Sequence, residues 1–264
     1  MDLYGKKDLA INLFNEGIFE IKDIPEEKLE NKRHIIQHGA HKSWRHHINH
    51  EELNEFIGKL DYPLYFMDFE TYGPAIPIYD GTKPYQQMPF QFSVHVVSKQ
   101  GVKPKHISFI AEGSADPREA FLTNLKKSLG TKGSIVTYNA PFEKGRLKEL
   151  ALFLPKHAKW VDSILPRVVD LLVPFRNFSY YHPSQKGSAS IKQVLPAVTG
   201  ETYADLEISE GESASRLYYE MIHVKNLGDK EKAKLLKDLE EYCSLDTEGM
   251  IMILNELQKF VKKK

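Results

Sequence analysis

LYFMDFET, residues 64–71, is the stretch from which the rest of the chain is read. Leu64, Tyr65, Phe66, Met67 and Phe69 form an apolar, aromatic-rich run of strand length, which predicts a buried strand. Asp68 and Glu70 interrupt that run two residues apart. Side chains alternate along a strand, so these two carboxylates point to one side. Two acids held together repel and lose hydration unless cations neutralise them. An all-oxygen donor pair suits Mg2+ or Mn2+ better than zinc. The plain alternative is two exposed acids at a strand edge. The apolar run argues against it, because the C-terminal end of a buried strand is where α/β sheets build sites.

Working outward from this strand, a turn-rich segment runs from Gly73 to Pro89. FQFSVHVVS (90–98) and HISFIAE (106–112) read as two further strands. In DPREAFLTNLKKSLG (116–130), Asp116 is an expected N-cap, Pro117 opens the helix and Gly130 follows its end. SIVTYN (134–139) is a strand, PFEKGRLKELALFL (141–154) a helix, and VVDLLVPF (168–175) is short and extended. A loop over 176–189 precedes helices in SIKQVLPAV, in ESASRLYYEMIH and from Asp229 to Lys263. Three strands with short links, then strand–helix alternation, predict an α/β domain. Its mixed central sheet has three antiparallel strands followed by parallel additions, and helices flank it.

Residues 1–60 are expected to form a separate helical, His-rich N-terminal arm, and 61–264 the main domain. The arm lacks strand-like runs and carries His34, His38, His41, His46, His47 and His50. A helix is expected from Glu51 to Leu60. The pairs His34/His38 and His46/His50 have the i, i+4 spacing that sets two imidazoles on one helix face, a zinc-like pattern. A solvated arm, or a basic surface touching nucleic acid, are the other readings.

Composition sets limits. Hydrophobic residues make up 41%, enough for a core. Lys+Arg and Asp+Glu are equal at 36 each, so the basic excess of a duplex-coating protein is absent. An enzyme gripping a few terminal nucleotides needs no such excess. Cys243 is the only cysteine, so no internal disulfide forms. No stretch approaches the apolar length of a membrane span, and no leader is evident at the N-terminus. These features predict a cytoplasmic protein without a membrane partner.

Further acids join the first pair. Glu143 falls in the first turn of a helix directly after SIVTYN, a position the helix dipole favours even without function. Tyr242 and Asp246 lie four apart in EEYCSLDTEGM and share a helix face. Cys243 reads as a small buried residue rather than a nucleophile.

DFET (68–71), NAPFE (139–143) and YCSLD (242–246) together resemble the three motifs of the DEDD exonucleases, tyrosine subtype. Ribonuclease D and the proofreading domains of DNA polymerases are of this kind, and their ribonuclease-H-like fold has the layout predicted above. YPLYFMDFET, PYQQMPFQFSVH, YNAPFEKGRLKELA, VVDLLVPFR, GSASIKQVLPA and EYCSLDT resemble, more closely, a bacterial family catalogued as domain of unknown function 2779. That likeness runs from about Tyr62 to Leu257.

The resemblance implies a 3'→5' exonuclease acting on the 3' end of single-stranded DNA or RNA and releasing nucleoside 5'-monophosphates. Asp68, Glu70, Glu143 and Asp246 would hold two divalent ions, Mg2+ or Mn2+. Tyr242 would aim the attacking water. Thr71, Asn139 and Phe142, beside the acids, are expected to touch substrate. Ser190 and Lys192, at a helix start, either meet a phosphate or belong to a simple cap. The better-known exonucleases have Asp where this chain has Glu143, so Asp170 is an alternative ligand. An endonuclease, or an inactive nucleic-acid-binding or interaction module on the same fold, are the competing readings.

Overall fold

A computed structural model describes residues 2–5, 7–29, 31–204, 206–208 and 210–261, which divide into two compact units. The predicted helix end at Lys263 lies outside the described residues. Leu60–Asp170 with Tyr203–Met250 make the sheet unit.

Its strands are β1 (Leu64–Tyr72), β2 (Met88–Val97), β3 (Lys105–Ile110), β4 (Ile135–Thr137) and β5 (Val168–Asp170), in the order β3-β2-β1-β4-β5. β1 pairs antiparallel with β2, and β2 with β3; β1–β4 and β4–β5 are parallel. The expected mixed sheet of three antiparallel strands and two parallel additions is what forms. VVDLLVPF stays extended only as far as Asp170; Val173–Arg176 turn into a short helix with Pro174 in its opening turn, where a missing N–H does no harm.

Among the described residues, the α-helices of this unit are α1 (Arg118–Ser128), α2 (Pro141–Phe153), α3 (Ala158–Ile164), α4 (Gly211–Tyr219) and α5 (Asp229–Lys259), the last belonging to the unit as far as Met250. The N-cap position is taken by Pro117 rather than by the expected Asp116, which stands one residue further out and accepts from the Arg118 backbone N–H at 3.0 Å. The alternation of β1 divides the packing. Tyr65, Met67 and Phe69 enter one core with Phe121, Leu125, Leu147, Leu150, Val161 and Ile164, from α1, α2 and α3. The opposite face carries Phe66, Asp68, Glu70 and Tyr72. Tyr72 meets Tyr218 of α4, whose ring stacks on Phe90 at 3.7 Å. A register shift between Glu70 and Thr71 marks a bulge where β1 reaches the candidate site.

The other unit combines 1–59 with 171–202 and 251–264, so the N-terminal segment shares its core with later parts of the chain. Its helices include Lys7–Asn15, Lys32–Ser43, His50–Gly58 and Ile191–Thr199. His47–Ile48 pair antiparallel with Tyr180–Tyr181, a ribbon that neither segment's sequence signals.

The histidines are largely structural. His34 and His38 are buried, and His34 Nε2 bonds the Tyr4 carbonyl at 3.0 Å. His46 stacks on Tyr180, and His50 Nδ1 bonds the Phe260 carbonyl at 2.9 Å. His46 precedes the ribbon while His50 opens a helix, so the i, i+4 pairing expected of them does not arise. Among the described residues, no three donors of this unit come together as a metal group. No helix among them is long and apolar enough to cross a membrane.

Candidate metal centre

The C-terminal ends of the parallel strands β1, β4 and β5 open on one edge of the sheet. β1 brings Asp68 and Glu70, the turn after β4 brings Asn139 and then Glu143 in the first turn of α2, and β5 ends on Asp170. α5 delivers Tyr242, Cys243 and Asp246 from across the sheet.

That helix is fixed by polar contacts through an otherwise apolar layer. Gln91 Nε2 donates to the Leu239 carbonyl at 2.7 Å. The Thr247 hydroxyl lies 2.7 Å from Ser93 Oγ and 2.8 Å from His95 Nδ1. Buried polar groups are costly unless paired, so these bonds define one helix rotation.

Donor atoms of Asp68, Glu70 and Cys243 all lie within 4.8 Å of one another. The Cys243 thiol, fully buried, donates to Asp68 Oδ2 at 3.6 Å. Asp246 is 8% exposed and accepts from the Tyr203 hydroxyl at 2.5 Å. Asp246 and Glu143 stand outside the tight trio and act on Asp68 through charge. Gly211 opens α4 against the same place: a Cβ there would sit 3.6 Å from Tyr242 Oη and 3.7 Å from Glu70 Oε2.

The electrostatics follow from this crowding. Burial, then the neighbouring Asp246, hold Asp68 well above the usual carboxylate range, against the pull of the Cys243 thiol. Burial, then Asp68, do the same to Glu143. Glu143 is 2% exposed, and its Oε2 is buried without a hydrogen-bond partner. Burial and the surrounding acids also push up Tyr242, Tyr203 and the Cys243 thiol.

The remaining predicted residues take varied positions. Asp170 Oδ1 accepts the Asn139 backbone N–H at 2.9 Å, and Asn139 itself has φ +79°, so Asp170 shapes the turn ahead of Glu143. The Thr71 hydroxyl donates to Gln87 Oε1 at 2.7 Å. Phe142 is half-buried under the Arg146 guanidinium, 5.3 Å from its ring centre. Ser190 and Lys192 belong to the other unit. Ser190 is the N-cap residue of Ile191–Thr199, and its N–H donates to Ser188 Oγ at 3.1 Å. Sequence reasoning missed Tyr203, which sits in an irregular segment with no periodicity or motif to mark it. It also gave Cys243 no place beside Asp68, although its position next to Tyr242 held the signal.

Residues 65–190 match the model of a family described as a domain of unknown function (DUF2779), which supports the family read from the motifs. The matched stretch contains Asp68, Glu70, Glu143 and Asp170. The chain is 26% identical over 222 residues to the uncharacterized MG366 homolog of Mycoplasma pneumoniae, covering 77% of this chain and 33% of that protein. It is 25% identical over 224 residues to uncharacterized MG366 of Mycoplasma genitalium, covering 78% and 33%. Against uncharacterized UU173 of Ureaplasma parvum it is 25% identical over 238 residues, covering 79% and 32%. The chain thus spans about a third of the length of these relatives. No solved structure matches.

Proposed function

We propose that this chain is a metal-dependent 3'→5' exonuclease of ribonuclease-H-like type, hydrolysing single-stranded DNA or RNA in the cytoplasm. The observation that carries the reading is the gathering of acids from β1, α2 and α5 at one sheet edge, with a Glu143 oxygen buried and unpartnered. That donor set fits a hard divalent cation: Asp68, Glu70, Glu143 and Asp246 would hold Mg2+ or Mn2+. The Cys243 thiol beside them keeps its proton, because burial and the surrounding acids raise it, and serves as a hydrogen-bond donor to Asp68 rather than as a ligand. When bound, two such ions lower the pKa of a water and neutralise charge on the phosphate.

The chain's own groups do the positioning. Tyr242 keeps its proton, because burial and three carboxylates raise it, and so it acts as a hydrogen-bond donor that aims water rather than as a base. Tyr203 fixes the Asp246 carboxylate through its hydroxyl. Asp170 holds the turn from which Glu143 projects. The order of the three motifs resembles the DEDD exonucleases and supports release of nucleoside 5'-monophosphates from a 3' end.

The test is digestion of 5'-labelled single-stranded DNA and RNA in Mg2+ and in Mn2+, with 3'-blocked and circular substrates alongside. Stepwise shortening that a 3' block stops, and that Asp68→Asn abolishes, is the expected result. Cutting of the circle would make the protein an endonuclease. No hydrolysis in either metal would overturn the assignment.

A further inference from the structure

A cleft of about 580 Å3 opens in the sheet unit between the turn that follows β1 and the outer face of α2. We propose that it is a groove for single-stranded nucleic acid, holding the nucleotides next to the one cleaved. This rests on the proposed nuclease reading for its purpose, although binding there requires no chemistry.

One contact and one helix spacing tie the cleft to the acidic cluster. Gln87, in its wall, accepts from Thr71, the residue after Glu70. Arg146, in the opposite wall, lies three residues beyond Glu143 on α2 and above the Phe142 ring.

The lining suits a polyanion with flat bases. Lys83, Arg118 and Arg146 line it with one acid, Glu149, and a second acid, Asp116, pairs with Arg118 from outside the lining. Lys83 is exposed and has no acidic partner among the described residues. Arg146 gives one Nη2 bond to Glu149 at 2.6 Å, and its Nε is buried with no hydrogen-bond partner. Arg118 is committed to the framework: Asp116 binds its Nε and Nη2, and its guanidinium lies 3.3 Å above the Phe153 ring.

Tyr85 is 70% exposed and held at φ +59°, a backbone conformation that costs energy for an aromatic residue and is retained where the surroundings impose it. The imposition is visible in the turn itself. The Tyr85 N–H donates to the Pro74 carbonyl at 3.0 Å, and a Cβ at Gly73 would meet the Tyr85 carbonyl oxygen at 2.9 Å. An exposed aromatic ring on a backbone fixed in this way, in a cleft that cations also line, is a stacking platform of the kind that binds bases without sequence preference. The volume falls within the range of small-ligand sites, about 300–1,000 Å3. An acidic peptide would use the cations but would leave the exposed rings unused.

The test measures fluorescence anisotropy of a labelled oligo(dT) with the full chain in EDTA, where no cleavage occurs. Lys83→Gln, Tyr85→Ala and Arg146→Gln are compared with wild type at several salt concentrations, and circular dichroism checks folding. The first two side chains are exposed, so these variants keep the test valid if Arg146→Gln misfolds. Each change should weaken binding on the order of 10–100-fold. Removing either cation should also flatten the plot of log affinity against log salt by about 0.7, as expected for the loss of one single-strand phosphate contact.

Unchanged affinity in all three variants overturns the groove, as does equally tight binding of a poly-glutamate peptide of the same length. Loss of binding in the variants, with no hydrolysis by wild type in Mg2+ or Mn2+, upholds the groove and refutes the nuclease. Hydrolysis with wild-type KM in all three variants does the reverse.

Discussion

Single acids of the cluster differ in what their removal exposes. Burial and Asp246 raise Asp68, so in the metal-free protein its raised pKa costs stability as pH rises above about 4. Asp68→Asn removes that cost and keeps the shape. It should raise the melting temperature in EDTA by about 2–4 °C per kcal/mol recovered, while hydrolysis disappears. Asp246→Ala should do the opposite to stability, because the buried Tyr203 hydroxyl loses its acceptor, a loss of about 1–3 kcal/mol. Melting curves of the two variants that move in the same direction would show that Tyr203 does not depend on Asp246. Tyr242→Phe should lower kcat by about ten- to a thousand-fold. The alkaline limb of its pH–rate profile should match wild type, since a phenol raised this far does not titrate in the assay range. A limb that vanishes in the variant would make Tyr242 a base.

At the scale of elements, α5 is the part on which the site depends most, and histidine holds it. Burial, then the stacked His106 ring, depress His95 to about 4. Its unfolded value is near 6.5, so between those values the unfolded chain binds the extra proton. The His95 contribution is therefore complete at neutral pH and is lost as pH falls from about 6.5 to 4, amounting to roughly 1–3 kcal/mol. His95→Asn should flatten the fall of melting temperature across that window; an unchanged pH slope would remove His95 from the clamp.

Legibility varied at this scale too. Strands β1 and β2 and helices α1 and α2 were readable because apolar pattern, length and an opening proline agreed. α3 was not, since AKWVDSI is only two turns long. The ribbon of His47–Ile48 with Tyr180–Tyr181 was hidden because two-residue strands carry no period, and their pairing spans more than 130 residues.

For the whole molecule, the ligand candidates were legible as three motifs, but their supports were not. Tyr203 and Gly211 reach the cluster only because the chain between α3 and α5 folds back over β1, and no local pattern announces a contact set by that return. Every acid of the cluster belongs to the sheet unit, so the effect expected of a bound metal is local. A cation that binds the folded state alone at about 100 times its Kd adds about 2.7 kcal/mol. Filling the centre relieves the repulsion among Asp68, Glu143 and Asp246, so the opening of the elements that carry them should become rarer. Hydrogen exchange with and without Mn2+ should therefore show new protection in 64–72, 139–146 and 239–250. Peptides from 32–58 and 191–199, which contribute no ligand, should exchange as before, and Asp68→Asn should remove the difference. Protection appearing in 32–58 instead, where the histidines lie, would move the metal to that unit and leave the acidic edge of the sheet without its proposed role.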